Sequence, residues 1–139
     1  MADYDNNIIR GIAQDLDCGN DCYYNPKTKE VIAIPNFLQV REEEEFKKIY
    51  REDLAKVKKH KAEFIKIEVL ESNESFEIME RFVAQLTNQR FKLKLDDILH
   101  QSRPFQHFKH AIDNSEFRQQ WFDFKQSELE KIVEKKLSN

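Results

Sequence analysis

The stretch FIKIEVLESNESFEIMERFVAQL, residues 64–86, contains the change of period that decides the fold. Its opening residues are β-branched and aromatic, with Ile65, Ile67 and Val69 at every second position, the pattern of a half-buried strand. Beyond residue 72 the apolar positions move to helical spacing, and Phe76, Met79, Phe82, Val83 and Leu86 fall on one side of a helix. A strand gives way to a helix here, and everything C-terminal to it reads as helix alone.

Upstream, Tyr23 and Tyr24 are separated from Val31, Ile32 and Ile34 by the turn signal Asn25-Pro26. This predicts a hairpin with strands near 21–24 and 30–34, the second ended by Pro35. Residues 7–16 carry a short helical stripe (Ile8, Ile9, Ile12, Leu16) weakened by Gly11. Residues 41–61 read as one amphipathic helix with Phe46, Ile49, Tyr50, Leu54 and Val57 inward. Its pairs Glu43–Lys47 and Glu44–Lys48 have the favoured i,i+4 order.

Downstream, Leu95, Ile98 and Leu99 predict a short helix. Ser102 is placed as the cap of the next, with Pro104 in its first turn and Phe105, Phe108 and Ile112 inward. Asp113 and Glu116 have the spacing of a capping box for a last helix, whose buried side is marked by Phe117, Trp121, Phe124, Ile132 and Val133. The expected fold is α+β: a small antiparallel sheet, made of the N-terminal hairpin plus one further strand, with helices, followed by a helical C-terminal half. The expected organisation is a single domain, 1–139, with an α/β lobe over 1–71 and a helical lobe over 72–139.

Composition narrows the function classes. A chain of 139 residues can bury roughly two thirds of its unfolded surface, so it needs no metal or disulfide to form a core. The net charge of −3 gives no overall pull toward nucleic acid or anionic lipid. No apolar run is long enough to span a bilayer, so no membrane partner is expected. The N-terminus, MADYDNNIIRG, begins with acids and has no signal-peptide core. With two cysteines read as reduced thiols, the expected location is cytoplasmic. The only glycines are Gly11 and Gly19, so neither a dinucleotide fingerprint nor a P-loop can be built.

Three groups of residues invite a chemical reading. SRPFQHFKH, residues 102–110, packs Arg103, His107, Lys109 and His110 among phenylalanines, yet reads first as a helix start with a phenylalanine core. Cys18 and Cys22 with His107 and His110 have zinc-ligand chemistry, but 84 residues separate the two pairs, and no metal or other cofactor is expected. Asp15, Asp17 and Asp21 surround the cysteines and would raise a thiol pKa, which argues against a nucleophile. The third group is KKIYREDLAKVKKHK, residues 47–61, with seven Lys/Arg against two acids. Lys47, Lys48, Arg51, Lys58 and Lys59 cluster opposite the apolar stripe.

The order EFIKIEVL, SFEIMERFVAQL, RPFQHFKHAI, EFRQQWFDFKQSELEKIVEKKL resembles a bacterial family of uncharacterised proteins, family 0158 of the UPF series. The matching residues are Phe76, Met79, Glu80, Phe82, Phe105, Phe108, Lys109, Trp121 and Phe124. The hairpin YYNPKTKEVIAIP is similar to the family's N-terminal strand pair. This chain departs from the family at Gln101 and Arg103, where glycine often precedes Phe-x-x-Phe-Lys, and at Thr28-Lys29-Glu30, where the family has Thr-Gly-Glu. The resemblance implies a bacterial cytosolic origin and a shared fold, and brings no activity with it.

The leading expectation is therefore a small non-catalytic binding or adaptor protein of the bacterial cytosol. Its protein-partner surface would comprise Arg103, His107, Lys109, His110 and Trp121. A nucleic-acid-binding protein using the 47–61 face ranks second, and an enzyme with an unrecognised site third. Oligomeric state is not encoded in any of these features. An exposed Trp121 beside Arg103 and Lys109 would favour the first reading, and a continuous positive stripe the second. A closed pocket holding two of His100, His107 and His110 with a carboxylate would favour the third.

Overall fold

The computed structural model describes residues 5–37 and 44–138. Its elements run α1 (Asn6–Asp17), β1 (Asn20–Tyr24), β2 (Val31–Pro35), α2 (Glu44–Ile49), α3 (Arg51–Lys59), a 3-10 turn (Lys61–Glu63), β3 (Ile65–Ile67), α4 (Ser72–Gln85), α5 (Gln89–Leu99), α6 (Pro104–Asp113) and α7 (Arg118–Leu137). The fold is α+β, with a three-stranded antiparallel sheet and a helical C-terminal half. Two compact units can be separated: one takes the residues up to Val69 together with those from Leu129 onward, the other Leu70–Glu128.

In the first unit β1 is the central strand, in the order β2-β1-β3. Its register sets Tyr23 opposite Ile32 and Lys66, and Cys22 opposite Ala33 and Ile67. Alternation then divides the side chains between two faces. Tyr23, Ile32 and Ile34 pack against Tyr50, Leu54, Val57 and Phe64, so α3 covers that face. Cys22 points the other way, its Sγ 3.9 Å from the Ile12 carbonyl of α1. With both faces covered, four consecutive residues of β1, Asp21 to Tyr24, are buried.

The hairpin turn is organised by Asn25, whose side-chain oxygen accepts from the Lys27 and Thr28 amides at 2.9 and 3.3 Å, an Asx turn. Lys29 then takes φ 64°, a left-handed conformation that costs most residues about 1 kcal/mol and costs glycine nothing. The opposite mismatch occurs in α1, where Gly11 sits inside the helix and an added Cβ would meet nothing within 4 Å. Gly11→Ala is expected to stabilise the protein by about 1 kcal/mol, and Lys29→Gly by about 0.5 kcal/mol after the added unfolded-state entropy is counted. Thermal melts of the two variants check both signs.

Several expectations need correction. The helix expected over 41–61 breaks at Tyr50, with φ −100° and ψ 10°, into α2 and α3. Residues 41–43 and the side chain of Phe46 lie outside the described residues. Ile49, expected inward, is 72% exposed, because the break turns it off the stripe that Tyr50, Leu54 and Val57 continue. Ser102 does not cap α6. Arg103 holds that position with φ 52° and no side-chain cap, and Pro104 follows at the first helical position. Asp113 ends α6 instead of opening α7, and it is the Ser115 hydroxyl that accepts from the Phe117 amide at 3.1 Å. A capping box does form at α4, built from Glu71 and Glu74.

The second unit is organised around Phe82, fully buried on α4. Its ring meets Phe108 of α6, and Trp121 and Phe124 of α7, edge to face at 6.5, 5.1 and 5.4 Å. Phe91 of α5 stacks on Phe117 at 4.6 Å. Phe105, expected inward, is 43% exposed. Phe108, Ala111 and Ile112 are the buried residues of α6, and Phe105 lies roughly 70° round the helix from the middle of that arc.

Candidate functional site

Helices α4 and α5 are joined by only three residues, Leu86 to Asn88, and the Asn88 side chain accepts from the Phe91 amide at 2.9 Å to start α5. Leu86 closes α4 with a 3.2 Å bond to the Val83 carbonyl. So short a link folds α5 back along α4. Between them runs a groove of about 420 Å³, lined by Phe76, Glu80, Val83 and Ala84 from α4 and by Lys92, Asp96, Leu99 and His100 from α5. Each helix contributes one stripe at the same spacing, i, i+4, i+7 and i+8.

Lys92 crosses one end of the groove and the other end is aromatic. Lys92 Nζ donates to the Ala84 carbonyl at 3.2 Å, fixing the level at which the two helices meet. One helical turn further along each stripe the lining residues are Glu80 and Asp96, and one turn further still Phe76 and His100. His100 Nδ1 lies 2.8 Å from the Asp96 carbonyl, so as the donor of that bond its ring leaves Nε2 as the open nitrogen. The exposed Phe105 ring meets Phe76 edge to face at 6.2 Å and extends the aromatic end. Val83 is the buried floor, while Glu80, Ala84, Asp96 and His100 are exposed at the rim.

Of the residues read from the sequence as a partner surface, Arg103, His107, Lys109 and His110 are exposed on α6 and its lead-in. His107 and His110 fall on one stripe of α6, Lys109 lies about 100° from His110, and Arg103 precedes the helix. Trp121 does not join them: at 8% exposure it is packed against Phe82 and Phe108, with Lys125 Nζ 5.9 Å above its ring. His100 alone of the three candidate histidines lines the groove, and the groove is open. The groove residues Glu80, Asp96 and Lys92 were missed because each stripe, taken singly, has the pattern of an ordinary solvated helix face.

The basic residues gather in part. Lys47, Lys48 and Arg51 line a shallow recess of about 270 Å³ with Leu54. Lys58 and Lys59 are exposed on the last turn of α3. Lys56 is drawn off to Glu30 at 2.8 Å. The break at Tyr50 interrupts any continuous stripe.

No group of three or more His, Cys, Asp or Glu among the described residues is placed to hold a metal, and the two cysteines are free thiols. They differ in reactivity. Cys18 is exposed. Cys22 is fully buried, and burial, reinforced by Asp15 and Asp21, pushes its thiol up to about 12. At pH 8 its thiolate fraction is then on the order of 10⁻⁴. A disulfide reagent at pH 8 is expected to titrate one thiol quickly in the native protein, and Cys22 only after denaturation. Rapid reaction of both would contradict this placement.

Among the described residues no helix is long and apolar enough to cross a membrane. A family model described as an uncharacterised protein family, UPF0158, matches residues 6–138. No curated protein and no solved structure matches the chain.

Proposed function

The chain belongs to the uncharacterised protein family UPF0158, and from that premise we propose that it is a non-catalytic binding protein of the bacterial cytosol whose α4/α5 groove receives a segment of a protein partner. The observation that carries this reading is the aromatic end of the groove. An exposed Phe105, held edge-on by Phe76 beside a concave apolar floor, is the type of anchor around which protein interfaces concentrate their binding energy. The free thiols support a reducing compartment. The groove replaces the surface expected around Trp121, which is spent on the core.

A photo-activatable phenylalanine analogue at position 105, introduced in cells, tests the reading. A discrete cross-linked protein is expected. It should be lost when Ala84→Trp fills the groove, and kept when Lys58→Glu and Lys59→Glu remove charge elsewhere. A cross-link that survives Ala84→Trp, or none at all, would refute the reading.

The grouping of Lys47, Lys48 and Arg51 around one recess favours a second reading, a nucleic-acid-binding face completed by Lys58 and Lys59. No described residue pairs with Lys48, Arg51, Lys58 or Lys59. If five phosphates are contacted, the affinity for a labelled single-stranded RNA is expected to fall with salt at a log–log slope of about −3.5. Lys58→Glu with Lys59→Glu should flatten that slope. Absence of binding at low salt would remove this reading.

A further inference from the structure

The groove has a charge pattern of its own, and we infer that the segment it receives presents an arginine, whose guanidinium lies between Glu80 and Asp96. The inference rests on the groove being a protein-binding site. Lys92 meets Ala84 across the groove, and Glu80 and Asp96 each lie one turn from that contact along their own helix, one on each wall. No described cation pairs with either carboxylate. The lining's one ammonium, Lys92, is a turn before Asp96 on the same helix, the less favoured order for an i,i+4 pair, and its Nζ is bonded to the Ala84 carbonyl. Both carboxylates line one groove with no described cation bonded to either, so a cationic ligand finds two acceptors there as it binds.

The shape around the pair selects the kind of cation. A metal ion is poorly served, because no third ligand of suitable type joins the two carboxylates. A guanidinium presents donors in a planar fork that can reach two carboxylates together. The level beyond the carboxylates is aromatic, with Phe76 backed by Phe105, and offers a ring for the guanidinium plane to stack on. Val83 and Leu99 form an apolar floor along which the methylenes of a long side chain can lie. A lysine would find the charges but would use neither the fork nor the ring.

The test is a nuclear magnetic resonance titration of the full chain at low salt with the blocked peptide Leu-Ala-Arg-Ala-Leu, its lysine counterpart, and its citrulline counterpart, which is isosteric and neutral. The arginine peptide is expected to shift the amides of Glu80, Ala84, Asp96 and His100. Lysine should bind more weakly, and citrulline at least tenfold more weakly, a difference of about 1.4 kcal/mol. Glu80→Gln combined with Asp96→Asn should weaken the arginine peptide by the same factor and leave citrulline binding unchanged; both residues are exposed, so folding is not at stake. Citrulline binding as tightly as arginine would overturn the inference while leaving the groove a binding site. No shift with any of the peptides up to about 10 mM, a range that covers even millimolar affinity, would overturn the inference and the protein-binding reading together.

Discussion

Phe82→Ala is expected to remove about 4 kcal/mol of stability, within the range for deleting a fully buried phenylalanine. The ring is wholly enclosed, and three other aromatic rings meet it edge to face at 5.1 to 6.5 Å. Each such pair adds about 0.5–1.5 kcal/mol beyond the area it buries. The rings of Phe108 and Trp121 also touch each other, at 5.0 Å, which limits how far they can close the cavity. Denaturant unfolding followed by the fluorescence of Trp121, the chain's single tryptophan, provides the measurement with the probe beside the mutated site. Phe82→Leu should cost clearly less, because it refills most of the volume. A loss of under about 1.5 kcal/mol for Phe82→Ala would mean that the surrounding rings collapse into the space.

The second large effect is expected at Asp21, buried to 1% exposure on the central strand. Pairing of β1 with β3 stops at Cys22 and Ile67. Beyond it the Asp21 carboxylate takes over the ladder, accepting the Val69 amide at 2.8 Å through Oδ1 and the Asn36 side-chain amide at 3.0 Å through Oδ2. One side chain thus ties the exits of both outer strands to the middle one. Asp21→Ala leaves those donors without their charged acceptor and is expected to cost about 3 kcal/mol. Asp21→Asn, which keeps an acceptor oxygen of the same size, should recover part of that. Accelerated labelling of Cys22, the neighbouring buried thiol, reports the loosening independently of the melt. Unchanged stability in Asp21→Ala would mean that the two exits hold without the carboxylate.

The elements were legible where a local period was undisturbed. The alternation Ile65–Ile67 produces β3, and the stripe Met79–Phe82–Val83–Leu86 produces the buried side of α4. The turn chemistry of Asn25-Pro26 was equally local, and the hairpin strands lie within one residue of their expected bounds. Errors came where two neighbouring apolar residues competed for one inward direction. Phe105 and Phe108 are both apolar at helical spacing, and nothing within α6 says that the buried arc extends through Ala111 and leaves Phe105 at its edge. Likewise, nothing in residues 41–61 signals that the chain bends at Tyr50 and strands Ile49 outside.

The candidate groove lay further out of reach. Phe76-Glu80-Val83-Ala84 and Lys92-Asp96-Leu99-His100 each satisfy the rules for an exposed amphipathic helix. Their significance arises only from the register that a three-residue link and the Lys92–Ala84 bond impose. By itself, then, the chain determined its α+β class and the order and type of most of its elements, since periodicity and turn residues act over a few residues; the neighbouring acids of Cys22 only reinforce what its burial does. Tertiary structure decided which of the competing readings of Trp121 held, keeping it in the core where its helix period put it and leaving Phe105 outside, and it alone brought Glu80 and Asp96 into one groove. A helix period says which residues share a side; it carries no information about which other helix that side will meet, or at what height.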